Sequence, residues 1–424
     1  MGTLQAVKGM NDVLGEETPR WQRLEARFRE RTALYGYEEV RTPIVEPTAL
    51  FLRSIGETTD IVEKEMYTFA DKGDATLTLR PEGTASAVRA YLEHTVYAKQ
   101  PVTKWTYTGA MFRRERPAKG RYRQFHQAGA EVYGDPGPYV DAEMIDMIVA
   151  FLADIGIRDI EVLVNSLGGP ETRPAYTTAL VAYLSPLRAS LCGDCQRRID
   201  TNPLRVLDCK VEHDRAVAAQ APSVVEFLTP ADKEHFDNLQ RTLDALGTPY
   251  RVEPRLVRGL DYYTRTLFEV KGRGGGLGAQ DTVCGGGRYD GLVEQLGGQS
   301  TPAIGFAMGI ERLLMMMEQP VAQPNIDVFI IAASPAELVE ATKIARDLRQ
   351  GGVRTDADLR GQSMKSQMRR ADKSGARLAL VVGSDEVTRS VVQLKDLIEK
   401  TQTEVPRADL LPRVRATLAL VEAK

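Results

Sequence analysis

Five arginines and one lysine crowd into MFRRERPAKGRYRQFHQAGAEVYG, residues 111–134, around a KG turn. Planar guanidinium groups suit phosphate oxygens, so this much local charge in a near-neutral chain suggests an anion site. On the return strand Gln127, Gly129, Glu131 and Tyr133 share one face, a polar floor for a ligand. His126, Ala128, Ala130 and Val132 share the other, and apart from the histidine that set suits packing. Arg113, late in the incoming strand, can lie near the floor. Arg114, Arg116, Lys119, Arg121 and Arg123 project from the loop between; an exposed, solvated hairpin tip is the alternative. In LRPEGTASAVRAYL (79–92), Glu82 and Thr84 stand where a strand turns into a helix. Together they could hold an ammonium group, or simply cap the helix. LVRGLDYYTRT adds Arg258 and two adjacent tyrosines. Arg312 of GIERLL lies near a helix start, off the apolar stripe of Ile310, Leu313, Leu314 and Met317, free to meet an anion or solvent. No Ser–His–Asp or Cys–His set is visible.

These groups need elements to aim them. Residues 17–36 read as an amphipathic helix on Trp21, Leu24, Phe28 and Tyr35. YEEVRTPIVEP (37–47) reads as a strand ended by prolines. Residues 111–134 predict two strands around the basic loop, and 141–155 a helix with Met144, Ile145, Ile148, Phe151 and Leu152 on its apolar stripe. Strand patterning resumes at 255, where alternation would let at most one of Tyr262 and Tyr263 face the floor. PAIGFAMGIERLLMMME (302–318) reads as a short strand running into a helix. Nine glycines lie between 272 and 291. GGGLGA (274–279) satisfies a dinucleotide-binding spacing, but CGGGRYDGL follows with no helix start, so these glycines are read as allowing close backbone approach.

The length of 424 residues implies two or three domains. Hydrophobic content of 43%, charged content of 27% and a net charge of −3 describe a soluble globular protein whose positive charge must be local. No apolar run approaches the roughly 18 residues of a membrane span. The N-terminus lacks a secretory core, and MGTLQA has Ala6 where a myristoylation signal needs Ser or Thr. A cytoplasmic location is the expectation. The predicted organisation is a core over 1–320, interrupted at about 170–250 by a charged helical insertion. A linker, VAQPN (321–325), precedes a βαβα domain over 326–424.

Taken in order, these motifs resemble class II aminoacyl-tRNA synthetases, and within them the histidyl-tRNA synthetases of bacterial type. The first helix with YEEVRTPIVEP is similar to the family's dimer-forming motif 1. FRRERPAKGRYRQFHQAGAEVYG is similar to motif 2, and AIGFAMGIERLL to motif 3. LVRGLDYYTRT and GGGRYDGL resemble its two histidine-specific motifs. The resemblance covers nearly the whole chain. It implies an α+β catalytic core, an antiparallel sheet flanked by helices, with the helical insertion and a C-terminal α/β anticodon-binding domain.

It also implies a homodimeric ligase joining L-histidine to tRNA(His) through histidyl-adenylate, with ATP as substrate and Mg²⁺ as cofactor. By resemblance, Arg113 and Arg258 are catalytic beside the α-phosphate. Glu115 and Arg121 belong to the ATP site with them, and Arg312 meets the γ-phosphate. Glu82 and Thr84 take the α-ammonium; Gln127, Glu131, Tyr262, Tyr263 and Tyr289, together with Arg113 and Arg258, complete the histidine pocket, with Tyr263 opposite Glu131 on the imidazole. Arg116, Lys119, Arg121 and Arg123 of the motif 2 loop face the acceptor end of the tRNA. Two rivals are a non-catalytic histidine-sensing regulator and a class II synthetase for another amino acid. Retention of both histidine-specific motifs and of the C-terminal domain argues against them.

Four cysteines do not make a disulfide framework. Cys192 and Cys195 have zinc-ligand spacing, and with Cys209 and His213 they could be written as a metal site. The second half does not match a tight knuckle, so the expectation is reduced thiols and no metal. His94 and His235 read as surface residues.

Overall fold

The computed structural model describes residues 3–56, 59, 61–260, 262–278, 281–318 and 326–422. The expected linker at 321–325, Asp261 and Ala279 lie outside them. The chain divides into two compact units, Met1–Glu318 and Gln319–Lys424.

In the first unit the strands are β1 (Glu38–Glu39), β2 (Val45–Pro47), β3 (Tyr67–Ala70), β4 (Thr76–Leu79), β5 (Thr103–Phe112) and β6 (Gln124–Tyr133). They continue as β7 (Ile160–Ser166), β8 (Arg251–Val252), β9 (Thr264–Gly272), β10 (Thr282–Arg288) and β11 (Ala303–Gly309). Eight form one sheet in the order β1-β5-β6-β11-β10-β9-β7-β8, antiparallel except for the edge pairs β1–β5 and β7–β8. The predicted single strand at 37–47 is instead broken. Glu38–Glu39 joins this sheet, whereas Val45–Pro47 joins a second sheet, β2-β4-β3. Between them runs Arg41-Thr42-Pro43, and proline disfavours continuous pairing.

One face of the large sheet is covered by helices. Ala128, Ala130 and Val132 of β6 and Ile304, Phe306 and Met308 of β11 bury themselves there with Phe268 and Val270. The helix Glu17–Leu34 contributes Leu24 and Phe28, one turn apart; Phe28 meets Phe151 edge-on at 5.3 Å and Phe306 at 6.4 Å. Helix Pro138–Asp154 buries the whole predicted stripe. Helix Pro230–Leu246 adds Phe236, Leu239 and Leu243 to the same core, so it belongs to the main core rather than to the insertion. The insertion's own core is smaller, running from Tyr176 to Val224 and including Cys195 and Cys209.

His235 is buried, not on the surface: it lies 3.6 Å from Asp141, and burial pushes its imidazole down to about 4, so it is neutral at pH 7. Asp141 pairs at 2.5 Å with Arg288, both side chains being fully buried. Burial raises Asp141 to about 6 against the pull of Arg288. Arg288→Met should therefore strand a buried carboxylate and cost about 3–5 kcal/mol of unfolding free energy. Urea unfolding checks this, and a loss under about 1 kcal/mol would mean that Asp141 finds another partner.

In the second unit the predicted strands and helices form at Val328–Ala332, Leu338–Gln350, Thr355–Ala357, Met364–Ser374 and Leu378–Val382. The first and third of these strands pair with parallel register. Two further strands, Val391–Asp396 and Thr401–Pro406, extend the sheet antiparallel, and the reading of that region had missed them. Among the described residues no helix is long and apolar enough to cross a membrane.

Candidate functional site

The uncovered face of the large sheet holds a cavity of about 390 Å³. Its floor is β6, β11 and β10, and its rim is the β5–β6 hairpin tip, the 258–263 loop and the start of the helix Thr84–Glu93.

Four arginines converge at one end. Arg113 donates from Nε to the Pro81 carbonyl at 2.9 Å and lies over the Phe125 ring at 5.1 Å. Arg258 donates to Glu269 Oε2 at 2.9 Å, and Thr282 Oγ1 holds the other oxygen of Glu269 at 2.8 Å. Arg312 donates to the carbonyls of Gly120 at 3.0 Å and Thr282 at 2.7 Å. Arg121 turns inward to pair with Glu115 and reaches Glu65 at 3.5 Å. Burial lowers the Arg312 guanidinium, and so does the like charge of Arg113, Arg121 and Arg258. Four guanidinium groups held this close together are preorganised to receive an anion.

The other end is polar and closed. Glu82 accepts from the backbone N–H groups of Thr84 at 2.6 Å and Ala85 at 2.8 Å. It therefore caps the helix while lining the cavity, so the two readings of this residue coexist. The Gln127 carbonyl oxygen is buried without a hydrogen-bond partner, an acceptor available to a ligand. Tyr262 and Tyr263 both line the cavity, contrary to the alternation expected of them. The reason is that β9 starts only at Thr264, leaving the pair in irregular backbone with rings 4.7 Å apart. Tyr262 also meets Tyr289 edge-on at 5.6 Å.

Glu131 differs from its expected position on the cavity surface. It is fully buried, one layer behind the wall. One carboxylate oxygen accepts from Thr84 Oγ1 at 2.8 Å and Tyr107 Oη at 3.0 Å, and the other from Tyr289. Burial raises its carboxyl to about 8, with those hydroxyls pulling the other way. Its presence in the alternating face set was legible, but the three hydroxyls that cover it come from other elements.

The hairpin tip also corrects an expectation. Arg114, Arg116 and Lys119 are exposed, whereas Arg121 and Arg123 are half-buried. Arg121 faces the cavity and Arg123 donates to the Glu115 carbonyl at 3.1 Å. Sequence reasoning missed Tyr107, Glu269 and Thr282, the residues that hold Glu131 and Arg258. Tyr107 sits on β5, one position from Thr106, whose side chain takes the opposite face; only the register Tyr107↔Gly129 reveals its role.

Three glycines make this packing possible. A Cβ on Gly285 would lie 2.1 Å from the Arg258 guanidinium, and one on Gly305 would lie 1.6 Å from a Glu131 oxygen. One on Gly129 would lie 2.6 Å from Tyr107.

Known proteins are similar in sequence and fold. The family profile described as histidyl-tRNA synthetase matches residues 9–313, and that of an anticodon binding domain matches 327–417. A histidine–tRNA ligase of Sorangium cellulosum is 54% identical over 403 residues, 95% of this chain and 94% of that protein. One of Anaeromyxobacter dehalogenans is 51% identical over 97% of this chain and 99% of its own length. The crystal structure of apo S. aureus histidyl-tRNA synthetase superposes with a TM-score of 0.82 at 36% identity, covering 97% of this chain and all of that one. With the cavity, the motifs that line it and these relatives in agreement, the chain belongs to the histidyl-tRNA synthetase family.

Proposed function

We propose that this protein joins L-histidine to tRNA(His) in two steps, through histidyl-adenylate, in the cavity described. The observation that carries this is the convergence of Arg113, Arg121, Arg258 and Arg312 on one cavity whose other end offers Glu82, Gln127 and a tyrosine cluster. Histidine's ammonium meets Glu82 and the unpartnered Gln127 oxygen. Its imidazole lies against Thr84, Tyr262, Tyr263 and Tyr289. Glu131 orients that end by accepting from the Thr84 and Tyr289 hydroxyls.

Activation forms a bond from the histidine carboxylate oxygen to the α-phosphorus of ATP and breaks the bond to pyrophosphate. The nucleophile is already ionised at pH 7, so no side-chain base is required. Arg113 and Arg258 stabilise charge on the α-phosphate, and Arg121 with Arg312 stabilises the departing pyrophosphate. A hydroxyl of the tRNA acceptor end then attacks the carbonyl carbon and AMP leaves. The carboxylates Glu82, Glu115 and Glu311 on the cavity are each engaged by protein donors, which suits Mg²⁺ carried in on ATP phosphates rather than caged by the protein. That ion would neutralise phosphate charge.

The Gln319–Lys424 unit is assigned to the anticodon, supported by its family match. The active form is a homodimer, a reading supported by apolar Leu34, Ile44 and Val45, exposed in the region similar to the family's dimer motif. Its substrates put it in the cytoplasm. Exposed Arg116 and Lys119 face the tRNA. Changing both to alanine should slow tRNA charging about tenfold at physiological salt and leave adenylate formation within about twofold, since phosphate contacts act on nucleic-acid affinity. Equal losses in both steps would refute a tRNA-facing role.

ATP–pyrophosphate exchange with each of the twenty amino acids, without tRNA, tests the whole reading. Exchange with histidine alone is expected. Exchange with another amino acid would refute the pocket assignment, and none from folded protein would leave a histidine-sensing regulator.

A further inference from the structure

The helical insertion brings together side chains that the reaction does not use. One ligand atom from each of Cys192, Cys195, Cys209 and Asp214 lies within 4.8 Å of all the others. Cys195, Cys209 and Asp214 are buried, and Cys192 is partly so. The fourth member is not His213, which is exposed, but its neighbour. The two are adjacent, about 100° apart around the helix Glu212–Ala218, which turns Asp214 and not His213 inward.

The spacing fits a tetrahedral ion. Zinc held at about 2.3 Å by sulfur and about 2.1 Å by oxygen requires ligand separations of about 3.8 Å between sulfurs and about 3.6 Å from sulfur to oxygen. The Cys192 and Cys209 sulfurs are 3.9 Å apart, and Cys209 Sγ is 3.4 Å from Asp214 Oδ2. Backbone donors orient the ligands: Val211 N–H points at Cys209 Sγ at 3.5 Å, and Cys192 N–H at the Asp214 carboxylate at 3.1 Å. Asp214 is a buried carboxylate that accepts from the Cys192 N–H and the Cys209 thiol, so the pocket contains a negative charge that a cation would match. Soft thiolates with one carboxylate favour zinc over magnesium or calcium.

We propose that Cys192, Cys195, Cys209 and Asp214 bind one zinc ion as a structural site. Binding releases three protons, one from each thiol, and forms three Zn–S bonds and one Zn–O bond. The insertion's core is small, and a metal supplies the cross-link that so few apolar residues cannot. A Cys192–Cys209 disulfide would need the sulfurs to close to about 2.05 Å and would leave Cys195 and the Asp214 charge without a function.

The site has a route to the catalytic cavity. Lys210, adjacent to Cys209, is on the cavity wall, and Arg205 packs 3.2 Å from the Cβ position of Gly259, next to Arg258. The ion would therefore fix the segment that carries both.

Elemental analysis of the full-length protein, purified from zinc-supplemented culture without chelator and kept reduced, is the test. About one zinc per chain is expected, and replacement by cobalt should give the intense visible absorption of a tetrahedral thiolate site. The double variant Cys192→Ser/Cys209→Ser should hold less than about a tenth as much. Should that variant not fold, Asp214→Asn keeps every thiol and should weaken zinc retention in a competing-chelator titration by at least about tenfold. Folded, reduced wild-type protein with under about a tenth of a zinc per chain and no cobalt spectrum overturns the proposal. So does unchanged zinc content in both variants, or a Cys192–Cys209 disulfide found in anaerobically prepared protein.

Discussion

Replacing Arg258 with alanine is expected to slow histidyl-adenylate formation about 10²–10³-fold, the usual effect of removing one aimed transition-state charge, about 3–4 kcal/mol. The side chain is only 23% exposed and is held at one point, Glu269, which Thr282 fixes in turn. That support aims the rest of the guanidinium at the cavity without tying it into the core. Its loss leaves Glu269 still hydrogen-bonded by Thr282, so the fold should survive with a change of about 1 kcal/mol or less. Single-turnover adenylate formation measures the effect, with circular dichroism confirming the fold. A rate within about threefold of wild type would remove Arg258 from the chemistry. Glu269→Gln provides the internal control: it should give an intermediate loss, because the arginine remains but its aim is looser.

The second large effect concerns Glu131. Glu131→Gln should lower kcat/KM for histidine in pyrophosphate exchange on the order of 10²–10³-fold, since an NH2 group that cannot accept replaces one of the two oxygens that orient the Thr84, Tyr107 and Tyr289 hydroxyls. The same change should stabilise the free protein at alkaline pH. The sign follows from linkage. The carboxyl's value is about 8 when folded and near 4.3 in an unfolded chain. Between those values the folded state retains a proton that the unfolded state has lost, so this group's contribution to stability falls as pH rises from about 4.3 to about 8. Glutamine does not titrate, so the variant's melting temperature should exceed wild type at pH 8 and match it near pH 4.5. Equal shifts at both pH values would mean that Glu131 does not titrate in this window and that the cost of burying it has been misassigned.

Much of this was legible before any coordinates. The alternation along 124–133 separates Gln127 and Glu131 from Ala128, Ala130 and Val132, and the structure buries the latter set as read. The helices at 17–34 and 138–154 follow from their apolar stripes. Position relative to other elements was not legible. Glu131 is covered by hydroxyls from β5, from the helix after β4 and from the turn after β10, and no local pattern encodes that meeting. Tyr262 and Tyr263 failed for a different reason: β-like composition at 255–263 was overridden by tertiary context, which leaves that segment irregular so both rings can turn inward. His235 was read as a surface residue because polar residues usually are, yet the buried carboxylate of Asp141 lies beside it in space and far from it in sequence.

The glycines under the cavity bear on how such a site can change over time. Ordinary cores absorb one-methyl swaps by small shifts of neighbours. At Gly129, Gly285 and Gly305 the space where a methyl would go is already occupied by Tyr107, Arg258 and Glu131 respectively, groups in the proposed selecting and aiming machinery. The smallest possible mutation at any of the three therefore displaces a working side chain. New specificity on this scaffold would have to enter through the rim, at Tyr262 or Tyr263. In a saturation library the floor would read as three depleted columns beside a more permissive border.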